Sequence, residues 1–299
     1  MRYTTLISSE QLQALTASGA PVRIFDCTFD LMQPQAGKQQ YLDSHLTGAV
    51  YASLDAALSA KHGVAGAHGV ITAEGADLPA SGGRHPLPNR EKLAIWLSNV
   101  GFSNDMQAVV YDRNGANYCG RLWWMLKWAG HANVAVLDGG LQAWVAAGGQ
   151  LTSGEEPMHF QTNFTLGPEL VALFDTQTIV NHLGRPLQTL VDARGAARFR
   201  GEVEPVDPVA GHIPGALNRP FSDNIGPDGK FKPAAVLRAE FEALLAGRDP
   251  ATVVHHCGSG VSAVPNLLAM QLAGLGPTGL YAGSWSEWCS DTSRPMAQG

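Results

Sequence analysis

The chain shows two patterns of apolar and polar residues: short apolar runs, and longer stretches in which apolar residues recur at helical spacing. The runs 189–193 (TLVDA) and 251–256 (ATVVHH) predict buried strands. Residues 233–247 predict a helix that begins at a proline and ends at a glycine, and 262–274 predict another, followed by a strand at 279–283. This alternation predicts an α/β fold, with a mainly parallel sheet and helices on both faces.

The same pattern occurs twice. Residues 109–110 match 253–254 at an offset of 144, whereas His45 matches His212 at an offset of 167. The first copy therefore carries about 23 additional residues, which we assign to the Gly-, Ala- and His-rich stretch 56–88. Repetition at a fixed offset indicates two copies of one structural unit.

We accordingly predict two domains. The first covers 1–150 with the insertion 56–88, and the second covers 169–299. The polar stretch 151–168, which Gly and Pro interrupt, is predicted to be the linker between them.

Charge and cysteine content exclude several classes of function. The net charge of −6 is spread along the chain without a basic block, so we expect neither a nucleic-acid nor a membrane partner. No apolar run approaches the roughly 20 residues that span a bilayer, and the start does not resemble a signal peptide, which favours a cytoplasmic protein. Cys27, Cys119, Cys257 and Cys289 form no CxxC pair, so we expect neither a disulfide nor a metal site, and we also expect no cofactor.

Cys257 is the strongest candidate for chemistry. It ends an apolar run and precedes a Gly-Ser-Gly turn and a predicted helix, whose bare N–H groups and dipole favour an anion. Gly258 and Gly260 allow the backbone to curl around the sulfur, and Ser259 and Ser262 supply hydroxyl donors. We expect a reactive thiolate at the mouth of a crevice, reachable from outside.

Three functions fit this loop to different degrees. Residues 258–263 match the G-x-G-x-x-G/A pattern of dinucleotide binding, but they fall late in the domain and lack the acidic residue about 20 positions later. A cysteine phosphatase would place an arginine six positions after the cysteine, where this chain has Ala263. Sulfur transfer through a persulfide requires neither feature, because amide donors can hold a single negative charge.

Several motifs resemble one family. The loop 257–263 (CGSGVSA) resembles the active loop of mercaptopyruvate sulfurtransferases of the rhodanese superfamily. The segments 191–205 (VDARGAARFRGEVEP) and 210–221 (AGHIPGALNRPF) resemble the family's second domain, and 138–144 (DGGLQAW) and 281–288 (YAGSWSEW) its domain ends. The resemblance implies two rhodanese-like domains, of which only the second is catalytic.

The resemblance also implies a reaction. Cys257 would take sulfur from mercaptopyruvate or thiosulfate as a persulfide and pass it to a thiol, thioredoxin or cyanide. Gly258, Gly260 and Val261 would bind the substrate through the loop backbone, with Ser262 as a hydroxyl donor. Because these loop hydroxyls are neutral, we expect mercaptopyruvate to be preferred over the doubly charged thiosulfate.

Other site residues follow from the same resemblance. Arg198 would bind the anionic group of the donor, and the alternative for it is a surface salt bridge. Asp55, His85 and Ser259 are the nearest matches to an Asp–His–Ser arrangement that handles protons, although His85 in a loop is also compatible with simple solvation. His255 is expected in the core together with its neighbour in the strand.

One expected residue is absent. Related enzymes often carry a second donor-binding arginine shortly after the Glu-Pro pair, where this chain has Val206 and Asp207. Its absence keeps an alternative open: a sulfur-relay or interaction protein that accepts persulfide sulfur from a partner and turns over small donors poorly.

Overall fold

A computed structural model describes residues 2–60 and 78–299 of the chain. Within these residues the chain forms two compact units. Unit 1 contains 2–59, 89–170 and 227–231, and unit 2 contains 60, 78–88, 171–226 and 232–299.

Unit 1 is built on a parallel sheet flanked by helices. Its strands lie in the order β1-β6-β5-β2-β4, and a separate antiparallel pair joins β3 to β7. The strands are β1 (Leu6–Ile7), β2 (Val22–Asp26), β3 (His45–Leu46), β4 (Val50–Tyr51), β5 (Gln107–Tyr111), β6 (Val134–Leu137) and β7 (Leu151–Thr152). The helices are α1 (Ser9–Ala17), α2 (Pro34–Asp43), α3 (Arg90–Asn99), α4 (Cys119–Trp128) and α5 (Gly140–Ala146).

Unit 2 repeats the arrangement. Its parallel sheet has the order β8-β12-β11-β9-β10, which is the unit 1 order with equivalent strands. The strands are β8 (Ala172–Phe174), β9 (Thr189–Asp192), β10 (Leu217–Asn218), β11 (Val253–His256) and β12 (Gly279–Tyr281). The helices are α6 (Thr176–His182), α7 (Ala196–Phe199), α8 (Ala234–Leu245), α9 (Val264–Leu272) and α10 (Ser284–Trp288), with 3-10 turns at Phe221–Asn224 and Pro250–Thr252. The predicted α/β fold is confirmed.

The segment 78–88 departs from the predicted domains. The sequence assigned it to the insertion 56–88 of the first domain, but it packs within unit 2. The amide of Arg84, for example, donates a hydrogen bond to Ser286 Oγ at 3.0 Å. Such long-range packing leaves no trace in local composition. The rest of the predicted insertion, 61–77, lies outside the described residues.

The predicted linker 151–168 also packs on a unit instead of running free. Its first residues form β7, which pairs with β3 in unit 1, and Phe164 is 4% exposed. Polar composition predicted a linker, but the strand pair, the buried Phe164 side chain and long-range hydrogen bonds, such as the one from Thr162 Oγ1 to the carbonyl of Phe102, attach the segment to unit 1. Across residues 2–60 and 78–299, no helix has the length and apolar character needed to cross a membrane.

Strand register corrects the alignment of the two copies. In unit 1, Asp26 is the partner of Tyr111, and in unit 2, Asp192 is the partner of His256. Because Asp26 and Asp192 end equivalent strands, Tyr111 corresponds to His256, one residue beyond the predicted offset of 144. Each run contains two adjacent valines, so a shift of one residue still matches Val109 with Val254, and the backbone hydrogen bonds reveal the register.

The strand before Cys257 buries two histidines, as predicted. His255 and His256 have no exposed surface, and His255 Nε2 lies 3.2 Å from the sulfur of Met270. Burial, together with the smaller electrostatic effects of His256 and Arg219, lowers the pKa of His255 to about 3. His255 therefore stays neutral inside the folded unit.

The loop after β11 passes very close to the end of β12. Gly260 has a φ of +73°, and a Cβ at this position would overlap the backbone carbonyl oxygen of Ala282. A left-handed backbone with no space for a side chain admits only glycine.

We predict that Gly260→Ala destabilises unit 2 more than Gly215→Ala does. Gly215 has a similar φ of +79°, but nothing lies within 4 Å of its Cβ position. The left-handed backbone alone costs an alanine about 1–2 kcal/mol, and the overlap with Ala282 adds at least about 1 kcal/mol. Urea unfolding of both variants measures the difference, and equal losses would contradict the close approach.

We predict that His255 contributes to loss of stability in acid. In the unfolded chain a histidine binds a proton near pH 6.5, whereas folded His255 does so only near pH 3. As pH falls below about 6.5, the unfolded state takes up more protons, and stability decreases by up to about 1.4 kcal/mol per pH unit. In His255→Val, which carries the residue found at the corresponding position 110, the urea midpoint should fall less between pH 7 and pH 5. Parallel pH profiles for the two proteins would show the idea to be wrong.

Candidate active site

Cys257 directly follows β11, at the carboxyl end of the unit 2 sheet. Its amide donates to Ser284 Oγ at 3.1 Å, and its carbonyl accepts from the amide of Trp285 at 3.0 Å. The carbonyl of Gly258 accepts from Ser286 at 2.9 Å. The start of α10 therefore fixes the backbone on which the sulfur is carried.

Cys257 is more enclosed than expected. It is 2% exposed, so the prediction of an open cysteine at the mouth of a crevice is wrong. The surroundings of the loop include polar groups, because the Cβ position of Gly258 is 3.1 Å from Arg84 Nη2 and 3.7 Å from Arg198 Nη1. Charged donors thus lie beside the cysteine.

The loop holds several unused amide donors. Among residues 2–60 and 78–299, the N–H groups of Gly258, Ser259, Val261 and Ser262 donate no hydrogen bond. These donors precede α9, whose amino end adds a positive partial charge. The loop is therefore suited to hold an anion next to Cys257.

In unit 1 a side-chain carboxylate occupies the equivalent loop. At the equivalent turn, Asp112 accepts hydrogen bonds from the amides of Asn114 (2.9 Å), Ala116 (3.1 Å), Tyr118 (2.8 Å) and Cys119 (2.9 Å). The carboxylate therefore accepts hydrogen bonds from four of the backbone N–H groups of this loop.

The corrected register makes Asp112 the counterpart of Cys257. Each residue follows its strand directly, and each carbonyl accepts from the next turn, Asp112 from Leu141 at 3.2 Å and Cys257 from Trp285 at 3.0 Å. Unit 1 thus places a carboxylate where unit 2 places a thiol. This substitution explains why the amides of Ser259 and Val261, which correspond to those of Asn114 and Ala116, have no carboxylate to accept their hydrogen bonds in unit 2.

The structure brings His85 and Ser259 together. His85 Nδ1 lies 2.7 Å from Ser259 Oγ, and the two residues are 4% and 6% exposed. A buried imidazole in contact with a hydroxyl is suited to moving a proton. Asp55 lies shortly after β4, in unit 1, and its proposed connection to His85 stays a prediction.

Arg198 belongs to a fixed ion-pair network and not to a surface salt bridge. Its Nη2 lies 2.7 Å from Glu204 Oε1 and 3.0 Å from Asp207 Oδ2. The two carboxylate side chains are 4% and 2% exposed. The amides of Val206 and Asp207 also donate to Glu204, both at 3.0 Å, which holds its carboxylate in place.

The pKa values of the two carboxylates, Asp207 and Glu204, are shifted in opposite directions. Burial raises the pKa of Asp207, and the nearby charge of Glu204 raises it further, against the lowering effect of Arg84 and Arg198. Burial also opposes ionisation of Glu204, but hydrogen bonds from the Asp207 amide and from Arg198 outweigh it and lower its pKa. Glu204 is therefore the more firmly ionised partner of Arg198.

Sequence reasoning missed two arginines. Arg194 pairs with Asp192 at 2.6 Å, and its side chain is 2% exposed. Burial opposes its charge, but Asp192, Glu204 and the nearby Cys257 together raise its pKa. Arg84 contacts Asp207 from the segment 78–88. The only available indication was that Arg84 directly precedes the candidate His85.

Comparisons with known proteins agree with this geometry. The rhodanese-like domain model matches residues 8–147 and 175–291. A probable 3-mercaptopyruvate sulfurtransferase of Pseudomonas aeruginosa is 43% identical over 302 residues, covering 100% of both chains. The thiosulfate sulfurtransferase of Bos taurus is 30% identical, covering 96% of this chain and 92% of its own.

A solved structure has the same fold. The crystal structure of the 3-mercaptopyruvate sulfotransferase SseA from Escherichia coli aligns with a TM-score of 0.76 and 28% identity, covering 95% of this chain and 100% of that chain. The family match extends over both units, and each unit has the strand order described above. The chain therefore belongs to the rhodanese family and is a sulfurtransferase with two rhodanese-like domains.

Proposed function

We propose that this sulfurtransferase carries sulfur from 3-mercaptopyruvate to a thiophilic acceptor as a persulfide on Cys257. The main support for the proposal is the set of loop amides beside Cys257 that donate no hydrogen bond. In the counterpart loop of unit 1, the carboxylate of Asp112 accepts from such amides. Relatives named for mercaptopyruvate and for thiosulfate support the same class of donor.

In the first half-reaction the Cys257 thiolate attacks the donor sulfur. The carbon–sulfur bond of mercaptopyruvate breaks, its electron pair passes to carbon as the enolate of pyruvate, and the proton of the donor thiol moves to that carbon to complete pyruvate. The transferred sulfur stays on Cys257 as a persulfide anion. The N–H groups of Gly258, Ser259, Val261 and Ser262 stabilise that charge without needing an arginine in the loop.

Ser259 and His85 are suited to handle the proton. Their contact of 2.7 Å allows a proton to pass between the hydroxyl and the imidazole beside the reacting atoms. Asp55 is the third member of this proposed set, as the family resemblance implies. These roles follow from the family resemblance and from the contact between two of the three side chains.

In the second half-reaction an acceptor attacks the outer sulfur and Cys257 leaves as a thiolate. A thiol, thioredoxin or cyanide can serve as acceptor, and each half-reaction regenerates the form needed for the other, so we expect ping-pong kinetics. We propose a cytoplasmic location and no nucleic-acid partner, in line with the charge distribution.

We predict that incubation with 3-mercaptopyruvate adds one sulfur atom to the protein and that Cys257→Ser abolishes the gain. Intact mass measurement detects the adduct. Cys289→Ser is the matched control, because Cys289 is also buried and lies in the same unit. An equal gain of mass in Cys257→Ser would refute the role of Cys257.

The same measurement tests the sulfur-relay alternative. A relay protein would take up little sulfur from small donors but would accept it from a persulfide-bearing protein. Loading of the wild type by 3-mercaptopyruvate at a turnover-competent rate would exclude this alternative.

We predict a higher kcat/KM for 3-mercaptopyruvate than for thiosulfate, by about tenfold or more. Ser259 and Ser262 offer neutral hydroxyls in the loop, whereas a doubly charged donor gains most from additional cations there. Steady-state assays of both donors with one acceptor at the same ionic strength measure the ratio. A preference for thiosulfate would overturn this part of the proposal.

A further inference from the structure

A second guanidinium lies beside the active loop, although the sequence lacks the expected second arginine after Glu204. Arg84 Nη2 and Arg198 Nη1 are 3.1 Å and 3.7 Å from one point, the Cβ position of Gly258. Arg84 reaches it from the segment 78–88, and Arg198 from α7. Two arginines from distant parts of unit 2 thus meet over the residue that follows Cys257.

Arg84 is held in place at both ends. Its amide donates to Ser286 Oγ at 3.0 Å, and its Nη1 forms an ion pair with Asp207 Oδ1. The preceding Gly83 has a φ of +87°, and a Cβ there would lie 2.5 Å from the carbonyl oxygen of Gly283. This close packing and the ion pair fix the guanidinium, unlike that of an ordinary surface arginine.

Asp207 bridges the two arginines. Its Oδ1 contacts Arg84, and its Oδ2 is 3.0 Å from Arg198 Nη2. Glu204 Oε1 lies 2.7 Å from the same nitrogen of Arg198. The carboxylates therefore act as positioning residues, which set the spacing and the orientation of both planar groups.

Each arginine has a terminal nitrogen that donates no hydrogen bond to a described residue. Among the residues that the structure describes, Arg84 Nη2 and Arg198 Nη1 have no hydrogen-bond acceptor, and these are the atoms nearest to Gly258. The side chains are 22% and 21% exposed. A carboxylate has two acceptor oxygens and matches a pair of such donors.

We propose that Arg84 and Arg198 together bind the carboxylate of the sulfur donor, with Arg84 supplying the second cation that is missing after Glu204. This inference rests on the proposed function, because it concerns the same reaction at Cys257. The two positive charges are balanced by Asp207 and Glu204, so the site recognises a donor by oriented N–H groups more than by excess charge. That balance suits a monocarboxylate such as an α-keto acid.

Kinetics of Arg84→Gln provide the first test. The KM for 3-mercaptopyruvate should rise about 10- to 100-fold, the value of one or two charge-assisted hydrogen bonds. The kcat should change little, because the carboxylate is held equally before and during sulfur transfer. Arg84→Lys should recover part of the loss, since lysine keeps the pair with Asp207 but not the second donor.

Arg200→Gln is the matched control. Arg200 lies two residues after Arg198, pairs with Glu202 at 2.7 Å, and is 46% exposed, so its loss changes the charge of the unit without touching the site. Its KM should equal that of the wild type. A KM for Arg84→Gln that is no higher than that of Arg200→Gln would overturn the proposal. Far-UV circular dichroism and urea midpoints establish that each variant is folded.

A second test does not depend on sulfur transfer. Iodoacetate and iodoacetamide both alkylate a thiolate with loss of iodide, but only iodoacetate carries a carboxylate beside the reacting carbon. Arg84→Gln should lower the rate of Cys257 alkylation by iodoacetate about 10-fold or more and leave the rate with iodoacetamide unchanged. Peptide mass mapping identifies Cys257 as the modified residue.

The outcomes separate the two proposals. If wild-type Cys257 reacts with both reagents and Arg84→Gln leaves the ratio of rates unchanged, the role of Arg84 is wrong while the role of Cys257 stands. If wild-type Cys257 reacts with neither reagent, the cysteine is unreachable, and both proposals fail.

Discussion

Each of the two units contains a loop whose backbone N–H groups are suited to hold a negative charge, and the difference between the units depends on this loop. In unit 1 the carboxylate of Asp112 satisfies four of these donors within the chain. In unit 2 the equivalent residue is Cys257, and the amides of Gly258, Ser259, Val261 and Ser262 donate no hydrogen bond to any described residue. Unpaired buried donors are costly, so a loop of this kind favours an anion at the sulfur.

The two units thus share one backbone framework but differ in the residue at the turn after the central strand. The sheets share a strand order, and the turn after the central strand is anchored in the same way in both units. In the first turn the Asp112 carboxylate already accepts hydrogen bonds from four amides, which makes that turn structural. A thiol at the same position leaves the donors available and makes the second turn suitable for sulfur chemistry.

The charges beside the loop serve orientation more than stability. Asp207 and Glu204 are almost fully buried and pair with arginines that keep about a fifth of their surface exposed. Buried ion pairs contribute little net stability, because desolvation offsets their attraction. Their effect here is to hold the guanidinium groups of Arg84 and Arg198 in one geometry, so that little side-chain entropy is lost when an anion binds.

Local pattern was sufficient for the α/β class, the duplicated unit, the strand that precedes Cys257 and the helix that follows the loop. Apolar periodicity, glycine and proline act over a few residues, and those features depend on nothing more. Packing decided the rest: the one-residue shift in register, the enclosure of the cysteine, the contact of His85 with Ser259 across 174 residues, and the pairing of Arg84 with Asp207 across 123. Contacts over such separations depend on how whole segments pack together, and no local pattern of side chains encodes that.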